Sequence, residues 1–299
     1  MKKPKIGVIG SSSMDLVVSS EKRPGAGETV LGESFKTVPG GKGANQAVAA
    51  SRLGAEVYMI GCVGEDFYGK QIINNFIQNG VKTDYVRSLT GMESGTAHII
   101  LAEGDNSIVV VAGANKYVTP DYITNTISFL RTCDLVMIQQ EVPEETVAYT
   151  AQICKEIGVP LLLNPAPARE ITSTVIEQAT YITPNEHEAS VLFQHLSQSE
   201  ALKQFENKVM ITEGANGVRY YNGEREVLVP TYPVEVLDTT GAGDTFNAAF
   251  GVAIAEGREI EESIGFANRA ASLSVTGFGA QGGMPLREDV DKMLGGGQG

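Results

Sequence analysis

The stretch richest in chemistry is Asp238-Thr239-Thr240-Gly241-Ala242-Gly243-Asp244-Thr245-Phe246, which leads into an apolar helical run. Small residues just before a helix leave several N–H groups unpaired and aimed outward. Such a turn makes an anion hole suited to the charge on a transferring phosphoryl group. Asp244 stands beside it, placed to accept a proton from a substrate hydroxyl. Its low intrinsic pKa is no obstacle, because the hydroxyl gives up its proton late in such a transfer. An aspartate at a helix start is otherwise a plain cap. The glycines and the second aspartate, Asp238, tip this one toward catalysis.

A second glycine turn, Gly40-Gly41-Lys42-Gly43-Ala44-Asn45-Gln46, runs into Ala47-Val48-Ala49-Ala50. Its glycines let the backbone turn tightly and let a ligand come close, and the following helix offers free amides. Neither a Walker loop nor a dinucleotide fingerprint is present. Lys42 and Asn45 inside the turn point to binding. Thr183-Pro184-Asn185-Glu186-His187-Glu188 sits where a strand gives way to a helix. Asn185 and Glu188 either share a face and hold a hydrated cation near phosphates, or form a capping box. Thr212-Glu213-Gly214-Ala215-Asn216-Gly217 reads as a nucleotide-cradling turn or as a hairpin connection. Asp15 and Glu141 lie just past strands, where ligands gather in open α/β sheets. Each either accepts hydrogen bonds from sugar hydroxyls or faces water.

The elements that must position these residues are legible as alternation. Lys5–Gly10, Val57–Val63, Leu135–Gln140, Leu161–Asn164, Tyr181–Thr183 and Val209–Thr212 are short runs, apolar on both faces. Such runs suit parallel strands covered by helices on each side. Thr119-Pro120 reads as a helix start, and Gly54, Gly80 and Gly158 as helix ends. The pattern predicts a doubly wound α/β fold with a mostly parallel central sheet, as one domain over 1–299. Two regions break the rhythm. Leu16–Val38 and Thr96–Val111 are rich in β-branched residues and are expected to form a small β-sheet lid, spanning 16–38 and 96–111. The second is expected to be a hairpin with its turn at Gly104-Asp105-Asn106. Another hairpin, around Asn222-Gly223, should extend the main sheet. The glycine-rich tail from Gly295 is expected to be disordered.

Composition narrows the partners. A formal net charge of −13 over 299 residues argues against nucleic acid or acidic lipid as a main partner, though not against one nucleotide. Cys62, Cys133 and Cys154 are an odd set with no CxxC spacing, which fits a reducing cytoplasm and no disulfide framework. His98, His187 and His195 are scattered, which weakens a zinc or triad reading. No apolar run is long enough to suggest a membrane span or a signal peptide.

With those residues in view, Gly40–Ala50 (GGKGANQAVAA) and Asp238–Phe246 (DTTGAGDTF) resemble the two signatures of the ribokinase-like (PfkB) carbohydrate kinases, in the same order. Asn185 to Glu188 matches that family's NxxE motif, and the resemblance extends over nearly the whole chain. It implies an α/β core with a β-sheet lid that often forms a homodimer interface, and transfer of phosphate from ATP to a sugar, here D-ribose at its 5-hydroxyl. By the same resemblance Asp244 is the base, with the amides of Ala242 and Gly243 completing the anion hole. Ser13, Asp15, Gly41, Lys42, Asn45 and Glu141 would hold the sugar; Ser13 stands where the family usually carries asparagine. Asn185, Glu188, Thr212, Gly214, Gly217, Gly243 and Asn268 would line the nucleotide site, with Mg2+ entering alongside ATP. A monovalent cation, usually K+, would sit among Asp238, Thr240, Ser274, Gly277, Gly279 and Gly283. The rival readings are a related kinase acting on deoxyribose, fructose or adenosine, and a non-catalytic sugar-binding sensor. Asp15 and Glu141 favour a free polyol over a nucleoside, and Asp244 with its glycines favours catalysis.

Overall fold

β1 (Lys5–Ile9) is buried from Ile6 onward and lies inside the main sheet. From it the chain enters β2 (Ser13–Ser20) and β3 (Gly32–Gly40), then returns through α1 (Lys42–Arg52) to β4 (Glu56–Gly64). Helix α2 (Phe67–Gln78) leads to β5 (Lys82–Leu89), after which β6 (Gly95–Ala102) and β7 (Asp105–Val111) rejoin β2 and β3. A 3-10 turn at Gly113–Tyr117 and two short helices, α3 (Pro120–Thr124) and α4 (Ile127–Leu130), precede β8 (Leu135–Ile138). There follow α5 (Glu144–Ile157), β9 (Leu161–Leu163), α6 (Ser173–Gln178), β10 (Tyr181–Ile182), α7 (Glu186–Leu192) and α8 (Gln198–Gln204). A meander of β11 (Met210–Thr212), β12 (Val218–Tyr221) and β13 (Glu226–Val229) leads to the long helices α9 (Ala242–Ala255) and α10 (Ile260–Ser274), and then α11 (Arg287–Gly295). The structure, a computed structural model, describes residues 3–295. The tail expectation, from residue 296 on, lies outside the described residues.

The main sheet has the order β10-β9-β8-β1-β4-β5, and every pairing in it is parallel. Its side chains alternate between two cores, as a strand buried on both faces requires. Ile6, Val8, Val57, Met59, Leu135, Met137 and Leu162 face α1, α9 and α10. Ile9, Ile60, Cys62, Val136, Ile138, Leu161 and Leu163 face the helices between Pro120 and Gln204. The order of winding reverses at β1, whose neighbours are β4 and β8, so the crevice beyond its carboxyl end is where a ligand belongs. Ser11–Asp15 and Glu141 lie past the ends of β1 and β8.

Helix α9 is buried on nearly all sides, from Asp244 to Ala253. Gly251 lets it sit tightly on the sheet, because a Cβ there would meet Leu135 Cδ2 at 2.9 Å and Met137 Sδ at 3.2 Å. The close seat fixes where the amino end of α9 points.

A separate four-stranded sheet, β3-β2-β6-β7, forms from the two β-rich regions. Its hairpin turn differs from the expected one. Asp105 pairs with Ala102, so the link is Glu103-Gly104, both at positive φ (58° and 75°). That is the two-residue geometry matched to strand twist, and it moves Asp105 and Asn106 into the strand. The meander is its own sheet, joined to the main one through parallel bridges at Ile182–Val209 and Asn185–Thr212. Strand β5 was not among the expected runs. As an edge strand it exposes Lys82, Asp84, Arg87 and Ser88, which interrupt its apolar pattern.

Candidate active site

Both glycine motifs begin helices, and the two helix starts meet. Gly41 is at φ 91° and caps α1; Gly241 is at φ 80° and caps α9. Only glycine adopts these values without strain. Gly43 is equally constrained by space, since a Cβ there would lie 2.7 Å from the Gly10 backbone. The close approach seats Ala44 N on Ser11 O at 2.8 Å and so locks α1 against the end of β1.

Asp244 is the third residue of α9 and is buried. Asn45 Nδ2 donates to its Oδ2 at 2.9 Å, and Gln46 Nε2 to its Oδ1 at 3.1 Å. Burial pushes the carboxyl up; Lys42 and the two amide donors pull it back, with the net direction upward. Lys42 shows the converse balance. Burial pushes it down, but the carboxylates of Asp244, Glu141 and Glu188 outweigh that and raise it, so it stays an ammonium. A part-buried cation among three carboxylates matches an environment built for anionic chemistry.

Ser13, Asp15, Gly41, Lys42, Asn45, Glu141 and Asp244 line one cleft of about 680 Å³, roofed by Ala97, Ile99, Ile108 and Val110 of the second sheet. All the residues expected to hold a sugar are thus brought together. Glu141 accepts from Ser11 Oγ at 2.5 Å and Lys42 N at 2.9 Å. Asp15 accepts from Ser13 Oγ at 3.3 Å. Burial raises Asp15 to about 6, against the pull of Ser13 and with added repulsion from Glu141 and Asp244.

Of the amides expected to face an anion, that of Ala242 donates to Thr239 O at 3.2 Å. Gly243 lies over open space, where an added Cβ would meet nothing within 4 Å. Its carbonyl accepts from Asn247 Nδ2 at 2.9 Å, and Asn247 Oδ1 accepts from Thr183 Oγ1. Asn247 thus ties the helix start to the strand end that precedes Asn185. Asn185 and Glu188 form a reciprocal capping box: Asn185 Oδ1 takes Glu188 N at 2.8 Å, and Glu188 Oε2 takes Asn185 N at 2.9 Å. The box uses Oε2 of Glu188 and leaves Oε1 uncommitted. Thr212 bridges Asn185, and Gly214 and Gly217 turn the chain at φ 54° and 115°. Asn268 Nδ2 donates to Val229 O and Pro230 O, pinning the end of β13 beside that turn.

Asp238 organises the third group. Its oxygens take Thr240 N at 2.9 Å and Gly279 N at 2.8 Å, which holds it low despite partial burial. Gly277 and Gly283 touch, a Cβ on Gly277 falling 2.7 Å from Gly283 Cα, and a Cβ on Gly283 would overlap Ser274 O. The backbone of this turn therefore packs against itself where side chains are excluded. Among the described residues no group of three or more His, Cys, Asp or Glu is placed to hold a metal.

Asn115, Gln46, Asn164, Gln139 and Asn247 were missed as site residues. Asn115 clamps Ser12 with two bonds, donating to its O and accepting from its N, both at 2.9 Å. Gln46 receives Gln139 Nε2 at 2.6 Å and donates to Asn164 Oδ1 at 3.0 Å. Only position inside a glycine motif could have flagged Gln46; the others carry no spacing signal.

Residues 3–287 match the model of the pfkB family of carbohydrate kinases. The chain is 63% identical over 287 residues to the ribokinase of Bacillus subtilis, covering 96% of this chain and 98% of that protein. It is 46% identical to the ribokinase of Lactococcus lactis, with 97% of each chain covered. Among solved structures, Arabidopsis thaliana ribokinase complexed with ribose and ATP superposes with a TM-score of 0.89 at 34% identity, over 98% of this chain and 99% of that one.

Proposed function

This chain belongs to the pfkB family of carbohydrate kinases, and from that premise we propose that it transfers the γ-phosphoryl group of ATP to the 5-hydroxyl of D-ribose. It is a phosphotransferase acting on a sugar hydroxyl. One observation carries the acceptor reading: Asp244, buried at the start of α9, shares its cleft with the carboxylates of Asp15 and Glu141 and the ammonium of Lys42. A cleft with two acceptors and a cation suits a small polyol and wastes its polar groups on an apolar ligand.

Asp15 and Glu141 accept hydrogen bonds from the ring hydroxyls, while Lys42, Asn45 and the Gly41 backbone fix the end that reacts. Asp244 takes the proton of the primary hydroxyl as that oxygen bonds to the γ-phosphorus and the bond to ADP breaks. The open amide at Gly243, backed by Asp244 N and Lys42, receives charge on the phosphoryl oxygens. Asn185, Glu188, Thr212, Gly214, Gly217 and Asn268 are read as the nucleotide side of the cleft. Glu188 would help to hold magnesium carried by the nucleotide, which would supply charge neutralisation there. Asp238, with the carbonyls of Thr240, Ser274, Gly277, Gly279 and Gly283, would hold a monovalent cation that steadies the loops flanking α9.

The four-stranded sheet is read as a lid over the sugar. Its edge strand β7 exposes Ile108, Val109, Val110 and Val111 on both faces, an edge that invites pairing with a second copy. A homodimer through the lid follows from it. Cys62, Cys133 and Cys154 are buried free thiols, consistent with a cytoplasmic protein, and no described helix is long and apolar enough to cross a membrane.

An ADP-release assay over D-ribose, 2-deoxyribose, fructose and adenosine tests the assignment. Ribose should give the highest kcat/KM; adenosine ranking first would contradict it.

A further inference from the structure

A single file of hydrogen bonds runs from Arg52 to Asp244 through four side-chain amides. Arg52 Nε donates to Asn79 Oδ1 at 3.0 Å, and Asn79 Nδ2 to Asn75 Oδ1 at 3.2 Å. Asn75 Nδ2 donates to Gln281 Oε1 at 2.8 Å, and Gln281 Nε2 to Asn45 Oδ1 at 3.0 Å. Asn45 Nδ2 completes the file at Asp244 Oδ2, 2.9 Å away. Gln281 and Asn45 are buried.

The file has only one workable polarity. A guanidinium donates and never accepts, and an ionised carboxylate accepts and never donates. Between those ends each carboxamide must present its oxygen toward Arg52 and its NH2 toward Asp244. Turning Asn45 over would set its oxygen against a carboxylate oxygen and its NH2 against the NH2 of Gln281, two repulsions for two bonds lost. Bonds aligned in this way polarise one another. Arg52 also grips the backbone carbonyls of Gln281 and Met284, so the first residue of the file holds its middle member in place.

We propose that Gln281 is a positioning residue: it fixes the Asn45 amide so that Asp244 is presented as an aimed, ionised carboxylate before substrate binds. Gln281 lies on the turn that carries Gly277, Gly279 and Gly283, so the base is coupled to the loop read as the cation site. The inference rests on the reading of Asp244 as the base and deepens it.

Two variants separate polarity from packing. Gln281→Met keeps length and removes the donor to Asn45. Gln281→Glu keeps shape and the bond from Asn75, but offers Asn45 Oδ1 a negative oxygen. Asn45 must then turn over and face Asp244 with its own oxygen, which favours a protonated base. At saturating sugar and ATP, Gln281→Met should lower kcat about tenfold and move the acidic limb of the kcat–pH profile upward by about half a unit. Gln281→Glu should be worse on both counts, with the KM for ATP unchanged in each. The reverse order, or an unmoved acidic limb in both, overturns the proposal, because a packing role ranks the isosteric glutamate as the milder change. A parallel Asp244→Asn variant separates the two claims. If it stays active, the base reading has failed; if it is inactive while the limb stays put, only the role of Gln281 has failed.

Discussion

Asn45 Nδ2 and Asp244 Oδ2, 199 residues apart in sequence, lie 2.9 Å apart. That bond is where the two glycine motifs become one site. Each motif starts a helix, and the two starts converge. Helix α1 is fixed by the contact of Gly43 with Gly10, and α9 by the contact of Gly251 with β8.

Asp15 is held in the cleft at a cost to stability. Its folded-state value of about 6 lies above the ordinary 3.8, so the folded form prefers the protonated group. The cost to stability is absent below the lower value and fully present above the higher one, amounting to about 2–3 kcal/mol at neutral pH. Asp15→Asn should therefore raise the melting temperature of the sugar-free protein at pH 7.5 while raising the KM for ribose more than tenfold. In the wild type, kcat/KM for ribose should fall as pH drops through about 6. A variant that binds ribose normally would remove Asp15 from the sugar site.

Gly40 gives Asp15 its place. A Cβ at residue 40 would overlap both carboxylate oxygens of Asp15, so Gly40→Ala should swing that side chain out of the cleft. Ribose affinity should drop about tenfold or more, the cost of one or two lost charged hydrogen bonds, with nucleotide affinity unchanged. Calorimetric titration of each ligand distinguishes this from general unfolding.

Asp238 and the carbonyls near it should make the protein respond to potassium. KCl should raise both the melting temperature and the turnover above the values in NaCl or Tris, and Asp238→Ala should abolish both effects. Equal melting curves in all three salts would discredit the site.

The edge strand β7 should carry the assembly. Sedimentation should show a dimer, and Val109→Lys should shift it toward monomer, since a charged side chain on an edge blocks pairing. A wild-type monomer at micromolar concentration would contradict the interface.

The sequence was informative where backbone demands are local. Gly41 and Gly241 at positive φ, the capping box of Asn185 and Glu188, and the apolar runs within β1, β4 and β8 each announce themselves by residue type and spacing. Amides are different. Gln46, Gln139, Asn164, Gln281 and Asn115 have no preferred spacing, and the bonds that tie them to one another, to Asn45 and to Ser12 span 93 to 236 residues. Nothing short of the fold could pair them. The turn at Glu103-Gly104 was misplaced for a related reason: Asp105 and Asn106 are favoured turn residues, yet register with Thr96–Ala102 drew both into the strand.

The reading of Asp244 as the group that deprotonates the acceptor is tested most directly by Asp244→Asn, assayed for ribose-dependent ADP release and, separately, for ATP binding. Asparagine can still take the hydrogen-bonding place of the carboxylate but cannot carry the proton away. Turnover should fall by about 10² to 10⁴ with ATP affinity within a few-fold of wild type. Turnover near that of the wild type would contradict the account.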